Sequence, residues 1–581
     1  MNLPKWPAGF LTLICASAFL ISSRAEEKTS AEVIIKMDPY IVAGERILPP
    51  PEDWNYVYVP GTELERGKQV TVAPGFEILS NLTEQNTKLF VDELQLRQLA
   101  GSLLWPMIVK TMPRDPLVVI IDRTKQAAGG ATSALTLAWQ GDPITSFTAS
   151  SFPNNFDSSA FSTENSNTGN QLVDPNLPLS GQDPGDAMAD TVATSTHILV
   201  NNNRTISSET SHNDRWLKPL PAGFTYIWAK QGLVTAAIFA DEPLSGFGPP
   251  TEEQLAADLS RRAAEFALFT FPQPPPRWFQ SGMGWLIATT RVTHTRITFA
   301  DTGNILSTNA MPSLGALLAK TTGLTYEEDL LAAVFTHWGL YGDNCKHAAK
   351  LTALVQQQCQ APLTEAQFTE IFGMNFKKME IELSQYTRSF SSYKSIQKEG
   401  QLPDLPTVIV RKATQSEVAR LQAASLITQS KPELALNALR IAYWRGEREP
   451  AMLAILAGLE EQQGSMDRAH KISQALMTLP APPPRVFIVD ARLHYRDILA
   501  NKKPEEKLTA KETQTIMGPL GRAVQAGQNS EEIWTFFSDV VLRSGGRPHE
   551  SIAALLERAS KRFPKNTVIG EAAAFAKPTK P

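Results

Sequence analysis

The chain lacks a surplus of basic residues and, beyond its N-terminus, any apolar run long enough to span a bilayer. It carries 55 Lys and Arg against 59 Asp and Glu, a formal net charge of −4. Nucleic acid is therefore not an expected partner, because a polyanionic backbone is bound by a cationic surface. No integral membrane span is expected in the mature chain. The length of 581 residues is enough for two or three domains.

The N-terminus has the pattern of an export signal, reading MNLPKWPAGFLTLICASAFLISSRAEE. Lys5 precedes a short apolar run, and small residues stand at the two positions before the cut that a signal peptidase recognises. A cleaved signal peptide over residues 1–25 is the prediction, and a retained N-terminal anchor is the alternative. We therefore expect an exported protein, either periplasmic or extracellular.

Cysteine is scarce, with three in the whole chain and only Cys345 and Cys359 after the signal. The segment between them, residues 346–358, is predicted to be helical and would hold their Cα atoms about 21 Å apart. A disulfide needs Cα atoms within roughly 7 Å of each other. The prediction is two free, partly buried thiols, unless the helix ends early.

The mature chain begins with a predicted extended leader over residues 26–60, stiffened by three consecutive prolines and ended by the alternating aromatic residues of WNYVY. Residues 61–400 are predicted to form an α+β domain. The run LVVII over residues 117–121 is typical of a strand buried on both faces. Residues 147–190, rich in Ser, Asn, Asp, Gly, Pro and Thr, predict a flexible insertion. Shorter strands are predicted over residues 76–79, 197–200, 224–228 and 234–239.

Helices dominate after residue 251. Three capping-box sequences predict helix starts. They are TEEQ from Thr251, TYEE from Thr325 and TEAQ from Thr364.

Residues 410–575 contain an internal repeat. Four pairs of small or apolar residues recur 34 positions apart: Leu421 and Ile455, Ala423 and Ala457, Ala424 and Gly458, Ala435 and Ala469. This is the period of the tetratricopeptide repeat, in which two helices form one stacking unit. An irregular helical bundle with a chance match is the alternative.

The middle of the chain has a recognisable order of elements. Between Phe76 and Tyr393, a strand and long helix, a sheet, a helix, a proline-rich break and the segment PRWFQSGMGWLI follow one another, and AQFTEIFGMNFKKMEIEL closes the region. This order resembles the bacterial peptidase-MA-like (gluzincin) domains that often precede tetratricopeptide repeats. In that family an H-E-x-x-H helix is followed by a break and a P-x-W-x-x-E-G-x-A segment. The resemblance implies a gluzincin-like mixed sheet with helices, followed by an all-α tetratricopeptide-like region.

The zinc ligands of that family are missing from this sequence. A zinc peptidase uses two His at i and i+4 of one helix, a Glu beside the first His as general base, and a downstream Glu as third ligand. The corresponding helix contains Arg261, Arg262 and Glu265 but no His, and Ser281 stands at the downstream Glu position. The two arginines would also repel a cation. The resemblance therefore implies an inactive copy with no catalytic residue, no cofactor and no metal.

The remaining polar candidates have structural explanations. His337 lies on the apolar helix after Thr325 and is expected to be a hydrogen-bonded core histidine rather than a ligand. Asp122 and Arg123 follow a buried strand, where a structural salt link or a turn is favoured over an active site. Neither His197 nor His212 has a Cys or His at metal-ligand spacing.

These observations favour a non-catalytic binding or scaffold protein whose repeats contact a protein or peptide. The partner's identity does not follow from the sequence. Two alternatives of other classes stay open: a hydrolase with an unrecognised metal-free site, and a structural component of an envelope assembly.

Overall fold

The computed structural model describes sixteen stretches of the chain. They are residues 54–66, 69–73, 75–104, 116–122, 199–201, 204–206, 225–230, 233–239, 250–271, 273–292, 296–299, 311–321, 323–389, 395–397, 405–503 and 505–577. The predicted signal peptide, the leader up to residue 53, the insertion over residues 147–190, and Arg123, His197 and His212 lie outside them.

Thirteen strands lie in the described part of the chain. In chain order they are β1 Asn55–Val59, β2 Thr62–Arg66, β3 Gln69–Ala73, β4 Phe76–Ser80, β5 Leu117–Asp122, β6 Leu199–Asn201, β7 Arg204–Ile206, β8 Thr225–Lys230, β9 Leu233–Phe239, β10 Thr290–Val292, β11 Arg296–Phe299, β12 Ser395–Gln397 and β13 Arg411–Lys412.

Six of these strands form one mixed sheet in the order β13-β1-β4-β5-β9-β8. The central strand β5 runs parallel to both β4 and β9, whereas β1, β13 and β8 pair antiparallel with their neighbours. The sheet therefore begins at Asn55, within the stretch predicted as leader. The described residues also form a three-stranded antiparallel sheet, β10-β11-β12, and two two-stranded ladders, β2-β3 and β6-β7.

Seventeen α-helices are described. They are α1 Glu84–Leu104, α2 Glu252–Phe269, α3 Arg277–Ala288, α4 Leu314–Ala319, α5 Tyr326–Tyr341, α6 Ala348–Gln360, α7 Glu365–Phe372, α8 Phe376–Ser389, α9 Gln415–Thr428, α10 Pro432–Trp444, α11 Pro450–Gln463, α12 Met466–Met477, α13 Pro484–Ala500, α14 Ala510–Gln525, α15 Glu531–Arg543, α16 Glu550–Arg562 and α17 Thr567–Ala576. The capping boxes predicted from Thr251, Thr325 and Thr364 are confirmed, since each threonine accepts from the third backbone N–H of its helix.

The six-stranded sheet is covered on both faces. Helices α1 and α2 pack on one face, where Phe90 and Leu259 meet alternate strand residues such as Val119. Helix α9 covers the other face, where Leu421 packs with Ile120. All six residues of β5 are buried, which confirms the prediction from LVVII. Fully burying each such apolar side chain contributes about 1.5–3 kcal/mol, so both layers hold the sheet in place.

A buried cluster of charges fastens α9 to the sheet. The Arg420 guanidinium donates to both carboxylate oxygens of Glu77 on β4, at 2.6 and 3.0 Å, and its Nε lies 3.0 Å from Oε1 of Glu449 at the start of α11. The Tyr56 hydroxyl on β1 also donates to Glu77, at 3.0 Å. One arginine therefore joins the sheet to the first two helix pairs.

After β13, the described residues of the C-terminal region form helices joined by short connections. Helices α9, α11 and α13 begin at Gln415, Pro450 and Pro484, so their starts are 35 and 34 residues apart. Residues that the 34-residue period matches, including Ala423, Ala435, Ala457 and Ala469, are fully buried between helices. The protein is therefore of the α+β class, with one mixed six-stranded sheet and a helical C-terminal region.

Both cysteines are free, as predicted. The predicted partial burial is correct for Cys359 and wrong for Cys345. Cys359 is half-buried near the end of α6, with its Sγ 3.8 Å from the Pro274 carbonyl oxygen. Cys345 is exposed because it lies in a short 3₁₀ turn before α6 rather than against a helix. In the described part of the chain, no helix is both long and apolar enough to cross a membrane.

Candidate functional site

Helix α2 is the element that the resemblance compares with a metal-binding helix, and it is buried along nearly its whole length. Leu255 and Leu259 pack into the core beneath the sheet. Its charged residues stand at i, i+3, i+4 and i+7, which places them along one side of the helix. They are Asp258, Arg261, Arg262 and Glu265, with exposed fractions of 1%, 4%, 7% and 0%. Four buried charges on one helix require partners on neighbouring elements.

Two glycines let α3 come close enough to supply those partners. A Cβ at Gly284 would lie 3.0 Å from the Cγ atoms of both Arg261 and Glu265 on α2. A Cβ at Gly282 would lie 2.1 Å from Oγ1 of Thr336 on α5. Helix α3 is thus wedged between α2 and α5, and only glycine fits at these contacts.

Glu265 is the centre of a buried ion-pair network. Its carboxylate lies 3.0 Å from Nε of Arg261 and 3.3 Å from Nη1 of Arg262, both on its own helix. Nη2 of Arg277, the first residue of α3, lies 2.9 Å from the same carboxylate. Three guanidinium groups therefore surround one carboxylate.

Asp329 on α5 extends this network. Its Oδ2 lies 2.8 Å from Nη2 of Arg261, and its Oδ1 accepts a hydrogen bond of 2.6 Å from the Ser281 hydroxyl on α3. The Arg261 guanidinium also lies over the Trp285 ring, 4.5 Å from its centre. Arg261 thus connects α2, α3 and α5 through a carboxylate and an aromatic face.

At the sheet side of α2, Asp258 completes the network. Its Oδ1 lies 3.8 Å from Nε of Arg262, and its Oδ2 accepts the backbone N–H of Thr225 on β8 at 3.0 Å. With Asp258, Glu265 and Asp329 facing three arginines, the network is formally neutral.

The mutual pairing determines the ionisation of the central groups. Burial alone would raise the pKa of Glu265, but Arg277, Arg262 and Arg261 together lower it to about 2. Burial alone would lower the pKa of Arg261, but Asp329, Glu265 and Asp258 raise it above its ordinary value. Glu265 is therefore ionised at neutral pH with its oxygens bound by arginines, and it is poorly suited to act as a general base.

The residues that the resemblance compares with zinc-site positions lie in one network. Arg262 and Glu265 are paired, and Ser281 reaches the same network through Asp329. The sequence did not identify Asp258, Arg277, Asp329 or Trp285 as members. The only sequence signal for Asp258 is its spacing from the other charges of α2. Asp329 is 64 positions beyond Glu265, so local spacing could not indicate that the two residues belong to one network.

His337 is a buried core histidine, as predicted. It is fully buried on α5. Its Nδ1 shares a hydrogen bond of 2.8 Å with the Tyr386 hydroxyl on α8. His347, ten residues later, stacks on Trp338 with ring centres 4.1 Å apart. The two histidines serve separate packing contacts.

Asp122 is buried at the end of β5 and accepts a hydrogen bond of 2.8 Å from the Asn81 side chain, which follows β4. This bond ties together the ends of two adjacent parallel strands, in agreement with a structural explanation for Asp122. Among the residues that the structure describes, no three His, Cys, Asp or Glu side chains are placed to hold a metal ion.

Comparison with known proteins adds no relative: no family model matches the chain, and neither a curated protein nor a solved structure matches it.

Proposed function

We propose that this chain is an exported, non-catalytic protein that binds a protein or peptide through tetratricopeptide-like repeats. Its α+β region is a gluzincin-like peptidase domain that no longer binds metal. The observation that carries this proposal is the Arg261–Glu265 salt bridge, because it spans the i and i+4 positions where a zinc peptidase presents its two histidines.

The surroundings of this salt bridge support the proposal. Ser281 stands at the position of the third zinc ligand. Its hydroxyl and the Arg261 guanidinium both contact the carboxylate of Asp329. The positions that would converge on a metal therefore converge on ion pairs instead. A cation placed among Arg261, Arg262 and Arg277 would meet repulsion from all three.

The repeat region supports a binding function. Helices α9 and α11 are buried over residues 416–421 and 452–461, so a partner has little access to them. Helix α10 instead exposes two large apolar side chains, Leu434 at 47% and Trp444 at 62%. Exposed aromatic residues often supply much of the binding energy at protein interfaces, which makes Trp444 the first position to test.

The experiment is incubation of the mature protein with a peptide library and with an unfolded protein, followed by separate measurement of binding and cleavage. The proposal predicts saturable binding without cleavage, weakened about tenfold or more by Trp444→Ala. Ile381→Ala is the matched control, because Ile381 is similarly exposed, at 52%, but lies on α8 outside the repeats. Turnover of peptide by the wild-type protein would reject the proposal in favour of a hydrolase.

A further inference from the structure

Three buried polar atoms without described hydrogen-bond partners belong to residues where β8 meets α2. They are Oγ1 of Thr225, Oδ1 of Asp258 and Nε of Arg262, and none has a hydrogen-bond partner among the described residues. The three residues are 5%, 1% and 7% exposed. Leaving such an atom without a hydrogen bond costs about 1–3 kcal/mol, so three together need an explanation.

Two contacts relate these three residues to one another. The backbone N–H of Thr225 donates to Oδ2 of Asp258 at 3.0 Å, which anchors that carboxylate against β8. The other oxygen, Oδ1, lies 3.8 Å from Nε of Arg262. This separation is too long for a direct hydrogen bond and is compatible with one bridging atom between the two groups.

We propose that β8 and α2 bind a single ordered water molecule among Thr225, Asp258 and Arg262. The chemistry of the three atoms selects it: the Arg262 N–H only donates, the Asp258 carboxylate only accepts, and the Thr225 hydroxyl does either. A water molecule satisfies all three at once, and three partners are typical of buried water. Arg262 disfavours a cation, and Asp258 disfavours an anion.

This water connects the last strand of the six-stranded sheet to the ion-pair network of α2. Through it, Thr225 and Asp258 are linked to Arg262 and so to Glu265. Water thereby becomes a structural member of the network, holding β8 and α2 together through hydrogen bonds that the protein atoms do not make directly.

The direct test is a crystal structure of the mature wild-type protein at a resolution that shows ordered water. The expected result is one peak about 2.7–3.2 Å from each of the three atoms. An Arg262 Nε in direct contact with Asp258 at hydrogen-bonding distance, with no water between them, would overturn the proposal.

Thermal unfolding of Thr225→Val gives a second test whose sign is decisive. If the hydroxyl binds water, its removal lowers the melting temperature by about 2 °C, even though valine is favoured in strands. If the hydroxyl has no partner, removing it leaves the melting temperature unchanged or raises it, and the proposal fails. The reference is Thr336→Val, because Oγ1 of Thr336 is also buried without a described partner but lies against Gly282. Thr225→Val is expected to melt below Thr336→Val.

Discussion

Arg261 and Glu265 lie one turn apart on α2 and form a fully buried salt bridge, with 3.0 Å between Nε and Oε1. The same two positions contact α3 through Arg277 and α5 through Asp329. Three helices are therefore held together by charges that are largely removed from solvent. Removing one partner of such a pair is costly, since the remaining charges stay buried.

Glu265→Ala is expected to destabilise the protein by about 3–5 kcal/mol, because three arginines would lose their shared carboxylate. Chemical denaturation of the mature protein measures this loss. Glu557→Gln is the control: Glu557 pairs with Lys561 on an exposed surface, where solvent screens the pair, so its replacement is expected to change stability little. Equal effects of the two substitutions would show that the buried network adds no stability.

Gly282→Ala is expected to destabilise the contact between α3 and α5 by about 1–3 kcal/mol or more, because the new methyl group would overlap Thr336. The matched substitution is Gly570→Ala on α17, where a Cβ would meet nothing within 4 Å. There the better helix propensity of alanine should stabilise the protein by about 0.5–1 kcal/mol. Thermal melts of the two variants should therefore shift in opposite directions, and a neutral Gly282→Ala would contradict the close packing.

The low pKa of Glu265 predicts a defined response to acid. A folded pKa of about 2, below the ordinary 4.5, means that the ionised group stabilises the fold above pH 4.5. This contribution is lost as the pH falls from 4.5 towards 2. The stability advantage of the wild type over Glu265→Gln should shrink across that window, as measured by denaturant unfolding at each pH. A constant difference would mean that Glu265 titrates alike in the folded and unfolded chain.

The contribution of Glu449 to stability should change with pH in the opposite direction. Burial raises its pKa more than Arg420 lowers it, so the folded state binds this proton more tightly than the unfolded state. The stability that Glu449 contributes is therefore full below pH 4.5 and is lost as the pH rises through the folded pKa. Relative to the wild type, Glu449→Gln should gain stability between pH 4 and pH 7. A relative loss over that range would show that pairing with Arg420 outweighs burial.

Local sequence signals predicted much of the fold. Capping boxes located the starts of α2, α5 and α7, because the chemistry of a helix start lies within four residues. The apolar run of β5 predicted burial on both faces. The small residues at a 34-residue spacing, such as Ala423 and Ala457, are buried in the C-terminal helices.

Contacts between distant parts of the chain could not be predicted in this way. Arg420 pairs with Glu77 across 343 positions, so no local pattern indicated that α9 covers the sheet. The absence of histidine from α2 was visible in the sequence, but the ion-pair network around that helix was not, because Asp329 lies on another helix. Charge spacing on one element shows which residues share a face, and only packing shows what they meet.

The central claim is that α2 holds ion pairs where a peptidase would hold zinc. The most direct measurement is the metal content of the mature wild-type protein, purified without chelators and assayed in parallel for peptide cleavage. The account predicts far less than one zinc per chain and no cleavage. About one zinc per chain, lost together with cleavage on chelation and bound at α2, would contradict it.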